Sequence, residues 1–365
     1  MEYVTENLDL NQDNDLLTMH ENIKSIGEEV TKEEELFHLL KSFKEGKKEN
    51  IYCYDGFEPS GKIHIAQGLL RAINVNKFTK YGIKFKFWVA DWFAQMNLKF
   101  GGDLKKIQKA GKLMIHIWKA CGMDMDNVEF IWASESINNN SNEYWQRVLD
   151  ISRNFSISRI KKCTTIMGKT ESDDLMASQL LYPIMQCADI FHLKVDICSL
   201  GVDQRKVNML AREYSSKLKK KFPPIIISHH MLMGLDGSDK MSKSNPDNAI
   251  FMDDNNNNVK RKINKAFCEP GNSEKNPILE YFKYIVFQKE DEIVIDILNF
   301  DTKEIIFKKY LFNEYQNLHN DFKNELIHPS DLKKSLIKYL NQYLEPVRKY
   351  LDNNNEAKEL LKSIK

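Results

Sequence analysis

The chain has 365 residues, 42% hydrophobic and 29% charged, enough apolar side chain for a sizeable core and a length that suits about two or three domains. Its 53 Lys and Arg against 52 Asp and Glu leave a formal net charge of +1, so no global basic field advertises a nucleic-acid partner, although charge can be segregated locally. Six scattered cysteines with no Cys-x-x-Cys pair suit a reducing compartment, and no run of about 18 apolar residues is present to span a membrane. The start, Met1-Glu-Tyr-Val-Thr-Glu-Asn, is acidic and has neither secretory nor transit character. The expectation is a globular, cytoplasmic protein.

Residues 1–30 are polar and low in periodicity, and read as a leader. Thr31-Lys-Glu-Glu34 forms a capping box ahead of Leu36, Leu39, Leu40 and Phe43 at helical spacing. Residues 51–54 predict a short buried strand, 56–61 a loop, and a helix follows from about 64 to 80. A strand over 83–90, rich in Phe, Val and Trp, precedes a long helix over 103–121 that Gly122 closes. Then come a strand at 128–133, helices at 142–155 and 175–192, a strand at 195–199, a helix at 203–218 and a buried strand at 224–228. This alternation argues an α/β fold with a parallel sheet. The Asn-rich run 255–258 reads as a surface turn or boundary. Beyond it, helices are predicted at 259–267, 278–287, 303–315 and 332–351, and the strand signals fade.

Two strings carry the strongest chemistry. Lys240-Met241-Ser242-Lys243-Ser244 follows Gly234-Leu-Asp-Gly-Ser-Asp and precedes Asn245-Pro246, which places it in a loop. Two ammonium groups and two hydroxyls on a flexible loop suit a polyphosphate, engaged only when that ligand is present. The plain alternative is a solvated loop in which Lys and Ser are tolerated. The other string is Tyr54-Asp-Gly56-Phe-Glu-Pro-Ser-Gly61-Lys-Ile-His64-Ile-Ala-Gln67-Gly68, a buried strand passing through a Gly-rich turn into a helix. Free N–H groups and the dipole at that helix start attract phosphate, and Gly61, Ala66 and Gly68 let a nucleotide lie close to backbone. Alone, the turn is more often an ordinary connection with His64 as a polar cap.

In this order and context the two strings resemble the signature motifs of class I aminoacyl-tRNA synthetases. Within that class the chain is similar to the tyrosyl-tRNA synthetases of archaeal and eukaryotic cytosolic type, over about residues 30 to 355. Tyr182-Pro-Ile-Met-Gln186-Cys-Ala-Asp189 places Tyr182, Gln186 and Asp189 on one helix face at spacings of four and three. An acidic group in so apolar a stretch needs a donor, and a substrate phenol is a candidate. Pro183 in the same helical pattern costs roughly 3 kcal/mol in an ordinary interior, which suggests shaping toward a ligand. The residues alone allow equally an amphipathic helix with a buried Tyr and a paired Asp.

The resemblance implies a fold and a set of roles. The fold is a Rossmann-like catalytic domain over 31–255, with a helical subunit-contact insertion at about 110–165, followed by a smaller all-helical anticodon-binding domain over 256–365. Tyr54 and Asp189 would hydrogen-bond the hydroxyl of L-tyrosine, while Tyr182, Gln186 and Gln204 hold its α-amino group. ATP, with Mg²⁺, would lie against Gly56, Gly61, His64, Gln67, Gly68 and Asp203, and against Lys240 to Ser244 of the loop (Met241 and Ser242 included). His64, Lys240 and Lys243 would stabilise the phosphate transition state. His328 and Asp331, in His328-Pro-Ser-Asp331-Leu-Lys333, would read the anticodon of tRNA(Tyr), and the enzyme would be a homodimer without a membrane partner. The basic run 215–221 is a tRNA-backbone patch or a solvated helix end.

The chain departs from the family pattern in three places. The motif His-Ile-Gly-His reads His64-Ile-Ala-Gln67, Trp92-Phe93 stand where many relatives carry Leu-His, and Ile285 replaces an aromatic found in some of them. His116, Trp118, Met114 and Ile117 read as core or subunit contacts. His229-His230 lacks a third ligand at useful spacing, so no tightly bound metal is expected. The rival readings are the sister enzyme for tryptophan, and a synthetase-derived RNA-binding protein without activity.

Overall fold

The structure, a computed structural model, describes residues 10–168, 174–219, 223–239, 241, 245–298 and 302–364. Lys240, Ser242, Lys243 and Ser244 therefore lie outside the described residues. The chain forms two compact units, the first from Met1–Pro59, Asn76–Ile107 and Asp124–His230, the second from Ser60–Val75, Gln108–Met123 and Met231–Lys365. Each is discontinuous in sequence.

The first unit is built on a six-stranded sheet: β1 Gly27–Thr31, β2 Tyr52–Phe57, β3 Lys84–Val89, β4 Val128–Trp132, β5 Ile197–Gly201 and β6 Ile225–His229. The order is β1-β6-β5-β2-β3-β4, with β2 to β6 parallel and β1 antiparallel to β6. Every residue of β5 is buried, as expected of a parallel strand covered on both faces. Aromatic rings pack along and between strands: Phe85 to Phe87 within β3 at 4.8 Å, and Phe87 to Phe130 from β3 to β4 at 5.5 Å between centroids. The register sets Tyr54 beside Cys198 and Cys53 beside Ile197. All six cysteines are free thiols. Four are buried, and burial pushes the Cys53 and Cys187 thiols well above the usual range, in keeping with thiols that pack as small apolar groups.

Two expectations at the start of the chain are corrected. Within the expected leader, Leu10–Lys24 is a helix that buries Leu16, Met19 and Ile23, and β1 follows it. Its polar composition hid one apolar stripe. The capping box does not form either, because Thr31 ends β1 and the helix Glu33–Lys44 starts from a left-handed Lys32 with no side-chain cap.

In the second unit the sequence after Pro59 enters a π-helical turn, Ala66–Leu70, that runs into the helix Arg71–Thr79. Main-chain hydrogen bonds lock its start to the segment following the Lys-rich loop: Ile65 N–H to Ile250 O at 2.8 Å and Met252 N–H to Ile63 O at 2.9 Å, with His64 facing Phe251. The C-terminal helices are Asn256–Lys265, Pro277–Tyr284, Tyr315–Lys323, Pro329–Asn353 and Asn355–Ile364. The Asn-rich run is a helix start, with Asn255 Oδ1 accepting from Asn258 N–H at 2.9 Å.

The expected helix at 303–315 is instead part of a hairpin, β7 Glu292–Leu298 against β8 Ile305–Leu311. Ile305-Ile306-Phe307 is β-branched and aromatic, and pairing Tyr310 with Ile293 buries both. The region is thus helical with one hairpin rather than all-helical. Among the described residues no helix is long and apolar enough to cross a membrane.

Candidate active site

In the first unit's sheet the chain steps from β2 to β3 and β4 on one side, then to β5 and β6 on the other. Ligands of open parallel sheets bind beyond the carboxyl ends of the strands at such a reversal. Here β2 carries Tyr54 and leads directly to Glu58, and β5 leads directly to the turn Val202–Gln204. The helix Ala177–His192 runs on through Pro183 and buries Tyr182, Gln186 and Asp189, the face that their spacing predicts.

Asp189 is the least expected group in this cluster, because it is only 1% exposed among apolar neighbours. Its Oδ1 accepts a 2.7 Å hydrogen bond from Tyr144 Oη. Its Oδ2 is buried and has no hydrogen-bond partner among the described residues. Burial pushes the Asp189 carboxyl well above the usual carboxylate range, opposed by the Tyr144 hydroxyl and the nearby Trp88 indole. Burial and the Asp189 charge likewise push the Tyr54 phenol up, so the two groups act on one another electrostatically. Gly56 has a packing reason: a Cβ there would come within 3.1 Å of Tyr54 Oη.

Tyr182 Oη donates to Glu58 Oε1 at 2.6 Å. Glu58 also accepts from Asn97 Nδ2 at 3.1 and 3.0 Å, and Lys99 Nζ lies 3.3 Å away. Phe93, from the Trp92-Phe93 departure from the family pattern, is buried edge-on against Tyr182 with centroids 4.9 Å apart. Gln186 Nε2 donates to Gln204 Oε1 at 2.9 Å. Tyr54, Tyr182, Gln186, Asp189 and Gln204 are therefore brought to one polar island in an apolar cluster. Tyr144, Glu58 and Trp88 belong to it and were missed: Glu58 lay within the quoted Gly-rich string, and Tyr144 showed only as one position of a buried helical stripe.

Asp203 is exposed on the turn after β5, and a Cβ at Gly201 would come within 2.6 Å of its Oδ1. In the second unit His64 is half-buried. Gln67 accepts from Trp118 Nε1 through its main-chain oxygen at 2.9 Å, while its side-chain Oε1 is buried without a partner among the described residues. Gly61 faces open space. Gly68 does not: the Met252 side chain fills the place of its missing Cβ, with Sδ at 2.5 Å, so its smallness serves packing instead. Met241 is half-buried.

His328 is exposed and caps the helix Pro329–Asn353, its Nδ1 accepting from Ser330 N–H at 3.2 Å. Asp331 is not presented to a base. It is buried, and its Oδ2 accepts from Leu298 N–H at 3.3 Å, with Lys334 Nζ 3.6 Å from Oδ1. The apolar face of Leu104–Ala120, with Met114, Ile117 and Trp118, is buried within the chain and is not available to a second subunit. His230 pairs with Glu28. Among the described residues one group of side chains gathers metal-ligating atoms, His20, Glu21 and Glu33, but Lys24 already holds Glu33 at 2.7 Å.

The family described as tRNA synthetases class I (W and Y) matches residues 46–345. Over 344 residues the chain is 51% identical to Tyrosine–tRNA ligase 1, cytoplasmic, of Arabidopsis thaliana, covering 94% of this chain and 87% of that protein. The chain belongs to the tyrosyl-tRNA synthetases. A solved tyrosyl-tRNA synthetase of Leishmania major in complex with tyrosinol is 47% identical, with a TM-score of 0.88 over 96% of this chain. This synthetase spans only 52% of that longer chain. A tryptophanyl-tRNA synthetase of Aeropyrum pernix is 18% identical at a TM-score of 0.65, a likeness of fold alone.

Proposed function

We propose that the chain is a tyrosine–tRNA ligase that activates L-tyrosine with ATP and charges tRNA(Tyr). The observation that carries this is the buried Asp189 Oδ2, an acceptor held away from water and suited to a phenolic O–H, on a carboxyl that acts electrostatically on the buried Tyr54 phenol. Phenylalanine would leave that acceptor unpaired, which is costly, and an indole offers one N–H and no hydroxyl. Tyr182, oriented by Glu58, and the linked Gln186–Gln204 pair hold the substrate ammonium.

A carboxylate oxygen of the bound tyrosine attacks the α-phosphorus of ATP, and the bond to pyrophosphate breaks, leaving tyrosyl-adenylate. A hydroxyl of the terminal adenosine of the tRNA then attacks the tyrosyl carbonyl, and AMP departs. No side chain forms a covalent bond, so the protein contributes positioning and charge stabilisation. His64, Lys240 and Lys243 take the phosphate role, Gly56, Gly61 and Asp203 lie along the nucleotide, and Mg²⁺ travels with ATP as counter-charge to its phosphates. The main-chain clamp from Ile250 and Met252 gives the His64 segment a fixed backbone for this.

Residues 31–255 carry catalysis and 256–365 the anticodon contacts, with exposed His328 offering its ring to a base from its capping position and Asp331 ordering the turn beneath it. The enzyme works as a cytoplasmic homodimer. Within 110–165 the exposed large apolar side chains are Trp145, Leu149 and Ile157, and these are the positions for a partner subunit. Lys240→Ala tests the assignment: adenylate formation falls far more than tyrosine binding. Equal losses in both would remove Lys240 from the phosphate role.

A further inference from the structure

The buried Tyr144 hydroxyl has a job that neither motif suggested. It lies 2.7 Å from Asp189 Oδ1 and 3.3 Å from the main-chain oxygen of Met185, one turn earlier on the same helix. With one proton to donate, it favours the nearer and charged acceptor. The direction of that O–H is set from outside the pair. The Tyr144 ring stands edge-on to His192 at 5.4 Å and to Trp145 at 5.8 Å between centroids, His192 Nε2 lies 2.8 Å from Ser136 Oγ, and Trp88 packs edge-on to His192 at 5.9 Å. A carboxylate turns easily about its terminal torsion, so an anchor on one oxygen fixes where the other sits.

Resting on the tyrosine pocket proposed above, we infer that Tyr144 is a positioning residue for amino-acid specificity: it pins Asp189 Oδ1 and so presents Oδ2 to the substrate phenol. The groups that act on Asp189 are Tyr144 from the helix Ser141–Asn154, Trp88 from β3, Tyr54 from β2, and Tyr182 and Cys187 from its own helix. All are neutral, and burial holds the Tyr54, Tyr182 and Cys187 protons on. No cation is among these groups, so the donated Tyr144 proton, with the Trp88 indole as the second donor, is what favours the ionised form of Asp189 inside an apolar cluster.

The test is Tyr144→Phe, which keeps the ring on His192 and removes only the hydroxyl, with Asp189→Asn assayed in parallel. ATP–pyrophosphate exchange gives kcat and the KM for tyrosine, for phenylalanine and for ATP across pH 6 to 9, on the full chain. The expected result for Tyr144→Phe is a rise of about tenfold in tyrosine KM. Its kcat and ATP KM stay within about twofold, and its discrimination against phenylalanine narrows by a similar factor. The rise should steepen as pH falls, because Asp189 without its donor takes up a proton more readily. An unchanged tyrosine KM in Tyr144→Phe, with Asp189→Asn defective, overturns the role of Tyr144 and leaves the pocket standing. Equal loss of tyrosine and ATP binding also overturns it, since that marks a scaffold residue. If Asp189→Asn itself leaves the tyrosine KM unchanged, the pocket reading fails first.

Discussion

Lys262 offers a sharp test of how the signature segment is held. Its ammonium lies 2.6 Å from Asp254 Oδ2 and 2.8 Å from Ala249 O, and the two charged side chains are 4% and 5% exposed. The same Oδ2 accepts from Phe251 N–H at 2.9 Å, and the ammonium sits 4.5 Å from the Phe251 ring centroid. One buried pair thus braces the whole Ala249–Asp254 strap that clamps Ile63 and Ile65 on either side of His64. Removing one partner of such a pair strands the other charge away from water, and costs about 3–5 kcal/mol. Lys262→Met keeps the volume and should lose that amount, read as a fall of about 10 °C in apparent melting temperature for a unit of this size. Adding Asp254→Asn removes the stranded charge while still accepting from Phe251, and should recover at least about 1 kcal/mol. In exchange assays of the single variant, kcat falls through the loosened His64 segment while the tyrosine KM holds. A loss below about 1 kcal/mol, or a tyrosine KM that rises as far as kcat falls, would refute the bracing role.

Other expectations follow from the first unit. Asp189 is protonated more readily in the fold than in the unfolded chain, so the native state binds the extra proton and the ligand-free protein loses stability as pH rises above the ordinary carboxylate range. Asp189→Asn should therefore raise the melting temperature at pH 8 relative to the parent while destroying tyrosine recognition; a lower melting temperature contradicts the shift. Glu58→Gln keeps an acceptor for Tyr182 but drops the charge, and should raise the tyrosine KM several-fold in exchange with little change in kcat. Buried Asp91 accepts from Trp92 N–H at 2.9 Å, Ser134 N–H at 3.0 Å and Ser134 Oγ at 2.6 Å, so Asp91→Ala should cost about 3 kcal/mol in urea unfolding. A saturating excess of tyrosine, about 100 times its Kd, should stabilise the parent by about 2.7 kcal/mol, and phenylalanine at the same concentration by far less.

The strands and helices from 50 to 230 were legible because a parallel sheet prints near-continuous apolar runs between amphipathic helices, and the boundaries of β3 and the helix Ala177–His192 fall within about two residues of expectation, while β2 runs three residues further, to Phe57. The family was legible too, since two motif strings in order and a face of Tyr182, Gln186 and Asp189 are together far more specific than either string. Other features were written in contacts between distant residues. β8 looked helical because Ile305, Ile306 and Phe307 run together with exposed side chains and show no clean period of two. The strand β1 depends on its partner β6 across about 200 residues of sequence. Glycine misleads for the same reason: Gly68 suggests a ligand and serves Met252. Tyr144 and Glu58 could not be found by spacing, because each takes its role from one side chain, Asp189 or Tyr182, brought to it by the sheet.

The central claim is that a buried acceptor at Asp189 selects tyrosine for activation by ATP. ATP–pyrophosphate exchange with each of the twenty amino acids, on the parent chain and on Asp189→Ala, tests it most directly. The account predicts exchange with tyrosine alone, lost on substitution. Exchange with tryptophan would keep the fold and overturn the substrate, and an absence of exchange with every amino acid would contradict the catalytic claim itself.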